Sequence, residues 1–221
     1  MSVPRDRVPG RELTPRRRRL LEDERRRLLQ AVVDAVVTVG YDEITVRGIC
    51  EAADVSARRG FYRHFADVRS AFVEACLDID RGLRATAAVA LRASADVEPR
   101  ERVRACVEAI VGFLTDDPVR AEALLVHGPA GGTEIAQARD TTMTRFADHL
   151  RELTAPLVDP EAPTDELVIR MALGGAHETI HRQLVAGAVD ELPEQVPQLV
   201  DLLLLPFAPR GARVGGESGR G

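Results

Sequence analysis

The sequence predicts an all-α protein, with an N-terminal three-helix head carrying a helix-turn-helix and a helical bundle behind it. Three observations predict this. Apolar residues recur at intervals of three and four along almost the whole chain, strand signals are nearly absent, and the breaks between periodic segments fall at Pro, Gly and Asp clusters. With 221 residues, 45% of them apolar, there is enough material to bury a substantial core.

Residues 1–23 hold three prolines, Gly10 and the run RRRR at 16–19, and read as a flexible basic arm. The head follows over residues 24–69. From Arg25 onward, Leu28, Leu29, Val32, Val33, Val36 and Val37 form one face of a helix that ends at Gly40. The stretch ITVRGICEAADVSARRGFYRHF, residues 44–65, then reads as two short helices joined by a tight connection. Thr45 can cap the first, whose inward face is Val46, Ile49, Cys50 and Ala53. Ser56 can cap the second, whose inward face includes Phe61 and Phe65. Between them, Asp54 tolerates a left-handed backbone and Val55 supplies an apolar plug, as a sharp bend between packed helices requires.

Residues 70–208 read as the second domain. Breaks near Glu98-Pro99, Asp117-Pro118, His127 to Thr133, Leu157 to Thr164 and Leu192-Pro193 divide it into about six helices, with connection lengths suited to a bundle. The last stretch, PRGARVGGESGRG at 209–221, is expected to be disordered.

Charge divides the chain in the same place. Residues 1–69 carry 15 Arg against 11 Asp and Glu, a net of +4, while the remainder carries 15 against 24, a net of −9. The local field steers association, so an anionic partner for the front segment is expected. All 30 basic residues are arginine, and Trp is absent; a composition weighted to Arg, Ala, Val and Gly suggests a GC-rich bacterial genome. Cys50, Cys76 and Cys106 show neither a disulfide framework nor C-x-x-C spacing. No apolar run is long enough for a bilayer, which predicts a cytoplasmic protein without a membrane partner.

The second short helix has the chemistry of a DNA reader. Arg58, Arg59 and Arg63 can pair with guanine in a major groove, while Tyr62, His64 and amides at a capped N-terminus can grip phosphates. The bland reading of the same residues is a helical corner with a solvated arginine face.

The pattern T-V-R-x-I-x-E-A-A-x-V-S followed by F-Y-R-H-F resembles the DNA-binding head of the TetR family of bacterial transcriptional regulators, over about residues 25–75. L-G-G-A at 173–176 is similar to the penultimate helix of many members. The resemblance implies that Thr45, Arg47, Tyr62 and His64 contact the DNA backbone, that Ser56 opens the recognition helix, and that Ala57, Arg58, Arg59 and Arg63 face the groove or its rim. It further implies a ligand-responsive repressor: a homodimer joined by its last two long helices, bound to a palindromic double-stranded operator and released by an unidentified small molecule entering the bundle.

The sequence departs from the family pattern in three ways. Asp54 replaces the usual turn glycine, and Val68 stands where a lysine is common, so that Arg69 is the substitute phosphate contact. Ser56 and Tyr62 are six apart instead of five. One inserted residue turns everything beyond it by about 100° on a helix; either Gly60 sits in a bulge or the recognition helix starts later.

HETIH at 177–181 fits the H-E-x-x-H zinc pattern. A zinc-dependent hydrolase using His177, Glu178 and His181 is therefore an alternative function, and a helical protein-binding module is another. The surroundings argue otherwise. On a helix over 164–188 capped by Thr164, both histidines share the apolar stripe of Ile169, Leu173, Ile180 and Leu184, and no third ligand is evident. Leu184 stands at the glycine position of the longer zinc motif and Gly187 at its third histidine, while Glu191 and Glu194 follow too soon. Neither a metal, a cofactor nor a catalytic residue is expected. Phe113, Met143, Phe146, Met171 and His177 are the candidate walls of an effector pocket, and Leu173, Ala176, Ile180, Leu184, Leu199 and Leu203 the candidate dimer seam.

Overall fold

The computed structural model describes residues 14–158 and 165–207, and among these every regular element is helical. Helix α1 spans Pro15–Val39. The helix expected from Arg25 therefore begins ten residues earlier, and the segment read as an arm up to residue 23 is helical from Pro15 on. Thr14 accepts a hydrogen bond from the Arg17 amide (3.4 Å) and Pro15 occupies the first turn, a cap and starter pair that the charge run concealed. Arg, Leu and Glu are strong helix formers, so a dense charge run interrupts nothing. Residues 1–13, 159–164 and 208–221, and with them the rest of the arm and the predicted disordered tail, lie outside the described residues.

Gly40, at φ 83°, ends α1. A 3-10 turn at Tyr41–Glu43 leads to α2, Val46–Ala52, whose N-cap is Thr45, accepting from the Gly48 amide at 3.1 Å. Asp54 takes the left-handed backbone the turn demands (φ 52°). The second helix of the helix-turn-helix, α3, consists of a π turn, Ala57–Phe61, continued by one α turn, Tyr62–His64. Leu28, Val32, Val36, Ile49, Phe61 and Phe72 form the centre of the head core. Each fully buried side chain of this size contributes about 1.5–3 kcal/mol.

Helix α4, Val68–Ala93, opens on a reciprocal cap in which Asp67 accepts from the Ser70 amide (2.7 Å) and Ser70 Oγ accepts from the Asp67 amide (3.1 Å). The division expected after Arg69 falls inside this helix. At about 39 Å long, α4 serves both domains: Ala71, Phe72 and Cys76 complete the head core, and Leu83 belongs to the bundle core. The remaining helices are α5 (Pro99–Asp116), α6 (Pro118–Leu125), α7 (Thr133–Thr154), α8 (Glu166–Val185) and α9 (Val196–Leu204), so α4–α9 are the six helices the breaks predicted. Thr164 lies outside the described residues, and Asp165 caps α8 by accepting from the Leu167 amide at 2.8 Å. Leu114, Ile169, Leu192 and Val200 are fully buried where α5, α8 and α9 meet. The three cysteines are free.

Candidate nucleic-acid interface and bundle cavity

The inserted residue of the recognition helix is taken up by the π turn. On an α-helix one extra residue would rotate Phe61 by about 100° relative to Ser56, off the core. A wider turn absorbs it, so Phe61 and Phe65 both stay buried, their rings tilted against each other with centroids 5.5 Å apart. The turn depends on Gly60. A Cβ at that position would fall inside the side chain of Val55, the plug of the preceding bend. Arg27 of α1 holds the bend from the other side, donating to the carbonyls of Ala53 (2.8 Å) and Asp54 (3.3 Å). Ser56, expected to cap α3, makes no side-chain cap; only its carbonyl takes part, accepting from the Gly60 amide at 2.7 Å.

The predicted contact residues divide. Tyr62 is 58% exposed, its ring edge-on to Phe61, and Arg59 is exposed with no ion pair among the described residues. Arg47 projects from α2 and pairs with Glu51 at 2.7 Å, while Thr45 spends its hydroxyl on the α2 cap. Two others are held by a residue the sequence reading missed. Glu24 of α1 accepts from Arg63 (3.4 Å) and lies 3.1 Å from His64 Nε2. The His64 side chain is only 8% exposed, so the histidine expected to grip a phosphate is turned inward. Arg69 faces the bundle, where it donates to the Gly131 carbonyl (3.2 Å) and pairs with Glu134 (3.1 Å), which is not the free phosphate contact expected of it. The side chains of Ala57 and Arg58 lie outside what the structure describes.

Behind the head, α4, α5, α6, α7, α8 and α9 line an apolar cavity of about 120 Å³. Met143, Phe146 and His177 line it, beside Cys106, Ile110 and Leu150. Phe113 does not; its ring sits under Gly82 of α4, 3.1 Å from where a Cβ would be. Met171 does not either, being 66% exposed. It stands six positions before His177, about 120° away around the helix, which turns it out of the cavity to the surface.

The expected dimer seam is also inside the chain. Leu173, Ala176, Ile180, Leu199 and Leu203 line the cavity, and Leu184 is buried in the bundle core. The helical stripe marked these residues as inward, and their own bundle satisfies it. The outer face of α8 instead exposes Leu167, Val168, Met171 and Val185.

His177 stands where the apolar cavity meets a second one of about 380 Å³; Leu83, Leu125 and Met143 are also common to both. Burial, the Arg139 guanidinium beside it and His181 push its imidazole down to about 4, with Glu178 opposing. The ring is therefore neutral near pH 7, and Nδ1 lies 3.5 Å from Arg139 Nη2, in position to accept from it. The rings of His177 and His181 stack with centroids 6.4 Å apart, and no group of three or more His, Cys, Asp and Glu suited to a metal gathers among the described residues. Deeper in the second cavity, Asp80 is buried and accepts from Thr142 Oγ1 (2.8 Å) and Arg84 Nε (2.9 Å).

Comparison of the whole chain with solved structures gives the same architecture repeatedly. A TetR-like transcriptional regulator from Rhodococcus sp. RHA1 superposes with a TM-score of 0.62 at 23% identity, over 85% of this chain and 97% of that one. A TetR-family regulator from Streptomyces coelicolor gives 0.66 at 19% identity, covering 90% and 98%. The fatty acid degradation regulator FadR from Bacillus halodurans gives 0.64 at 18%, covering 89% and 97%, and the Bacillus subtilis FadR in complex with stearoyl-CoA gives 0.66 at 14%, covering 80% and 96%. No protein-family model and no curated protein sequence matches. The chain has a TetR-like fold, a helix-turn-helix head on a helical bundle. No helix among the described residues is long and apolar enough to cross a membrane.

Proposed function

We propose that this TetR-like chain is a transcriptional repressor that binds a palindromic DNA operator as a homodimer and releases it when a small molecule occupies the bundle. The observation that carries this reading is the recognition helix itself. Phe61 and Phe65 anchor it from within, while Arg59 and Tyr62 project from its outer side, unpaired with any acid among the described residues. Arginine in a major groove reads guanine through two parallel hydrogen bonds, and tyrosine beside it suits a phosphate. The basic first turns of α1, with Arg16 to Arg19 exposed, add phosphate affinity that carries no sequence information.

Helix α4 supplies the mechanical link. It forms part of both cores, so a ligand that prefers one placement of α4 in the bundle shifts the head with it. Structures of the same fold offer a precedent for a ligand: the Bacillus subtilis FadR holds stearoyl-CoA. For the dimer, the exposed apolar residues of α8 replace the seam first expected. Leu167, Met171 and Val185 recur at spacings of about one and four turns on the outer side, an arrangement a second copy would cover isologously.

A mobility-shift series with DNA flanking the gene tests the reading, with salt varied. The expected result is a discrete complex that weakens steeply with salt, with Arg59→Ala losing about 1–3 kcal/mol of preference for the operator over random DNA. Failure of the wild-type dimer to retain any duplex at low ionic strength would overturn it.

A further inference from the structure

Resting on the ligand-responsive reading above, the geometry points to a specific class of effector: an amphiphile whose extended apolar tail runs from the outer cavity, about 380 Å³, into the inner one, about 120 Å³, and whose anionic head is held by Arg139 at the mouth. The inner walls are almost wholly hydrocarbon. Along α5 they run from Val103 to Leu114, eleven residues or about 16 Å, which suits an extended alkyl chain better than a compact ring. Cys106, on the same wall, has its thiol pushed up to about 11 by burial, so it stays neutral and hydrophobic in character. The other polar groups on this lobe are the histidines at its edges. His149 lies 3.6 Å from Glu152, and His177 stands at the junction with the outer cavity.

The outer cavity is also lined mostly by apolar side chains, but it brings in polar groups that the inner one lacks. Arg139 lines it together with Thr133, Thr142 and Asp80, and also borders a surface cleft with Asp140 and Arg170. The carboxylates nearby are already engaged, Asp80 by Arg84 and Thr142, and Asp140 by Arg170 at 3.8 Å. Among the described residues Arg139 has no ion pair; its neighbour is the neutral ring of His177, 3.5 Å away. A partly exposed cation without an acid, set where an apolar slot opens to solvent, is suited to an anionic head whose remaining bulk stays in water. The anion is either a carboxylate or the phosphates on the nucleotide part of an acyl thioester such as an acyl-CoA.

Isothermal calorimetry and thermal shift on the full chain test this with dodecanoate, dodecanoyl-CoA and dodecanol. Either anion is expected to bind about tenfold or more tightly than the alcohol; preference for dodecanoate identifies a carboxylate head, and preference for the thioester identifies the phosphates. Arg139→Gln, a surface change, is expected to erase that preference while leaving dodecanol binding unaltered. Cys106→Phe, which shortens the slot, is expected to move the preferred chain from dodecanoate to octanoate. No binding of any probe, equal affinity for acid, thioester and alcohol, or an undiminished preference in Arg139→Gln would overturn the proposal. A mobility shift run alongside separates the two readings: operator binding without amphiphile binding sinks only the effector class, and amphiphile binding without operator binding sinks only the repressor.

Discussion

Val55 closes over the backbone of Gly60 so tightly that no Cβ fits between them. Five residues apart in sequence, one plugs the helix-turn-helix bend and the other lies in the π turn that absorbs the inserted residue. Gly60→Ala should therefore invert the usual helical preference, in which Ala is better than Gly by about 1 kcal/mol. Overpacking against a stiff β-branched neighbour is expected to cost about 1–3 kcal/mol. Denaturant unfolding measures it, and the double variant Gly60→Ala/Val55→Ala should recover part of the loss. Equal or greater stability in the single variant would refute the packing argument.

Glu24 neutralises one side of the recognition helix by holding Arg63 and His64. Glu24→Gln keeps a hydrogen-bonding amide near His64 and removes the charge. The expected outcome is tighter binding to random duplex DNA and a steeper salt dependence, the slope of log K against log salt growing by up to about one. Unchanged affinity and slope would mean that Arg63 does not approach phosphate.

The depressed His177 imidazole has a consequence for stability. Its folded value, about 4, lies below the ordinary 6.5, so the unfolded chain binds the proton more readily between those limits. The neutral ring's contribution is complete above pH 6.5 and is lost as the pH falls toward 4. Because the ring is partly exposed, the effect is expected to be only about 1 kcal/mol. It should appear as a smaller loss of Tm in His177→Gln than in the wild type over that interval. Parallel curves for the two proteins would contradict the assignment.

Thr142 of α7 donates to the buried Asp80 of α4. Replacing it with Val removes a hydrogen bond to a charged acceptor and leaves Arg84 as the partner, at an expected cost of about 1–2 kcal/mol. Thermal unfolding of Thr142→Val checks the value.

Met171, 66% exposed on the outer face of α8, tests the revised dimer seam. Met171→Glu places a charge where the second copy would sit and should shift the sedimentation profile toward monomer without changing the helical circular dichroism. Ile180, expected at the seam, lines the cavity instead; Ile180→Ala should alter ligand binding and leave the dimer intact.

Local signals made much of this molecule legible. The three-and-four spacing of Leu28, Val32 and Val36 placed α1 on the core, Thr45 marked the start of α2, Asp54 the left-handed turn, and Phe61 and Phe65 the buried side of α3. Each is decided within one or two turns of chain, where capping, periodicity and steric permission act. The spacing anomaly between Ser56 and Tyr62 was visible too, with a bulge at Gly60 as one of its two solutions.

What the residues by themselves determined is therefore the apolar side of each helix of the head, and that Arg59 and Tyr62 stand outward on α3. Only the tertiary structure decided what each inward face meets. Leu173 and Ile180 border a cavity where a partner was expected, Phe113 packs on α4, and Met171 is turned out to the surface of α8. Glu24 and Arg139 gained their roles through neighbours 40 and 38 residues away. Periodicity encodes a direction around one helix axis; it carries no information about the element that arrives on that side, because the arrival is set by how six helices share one core.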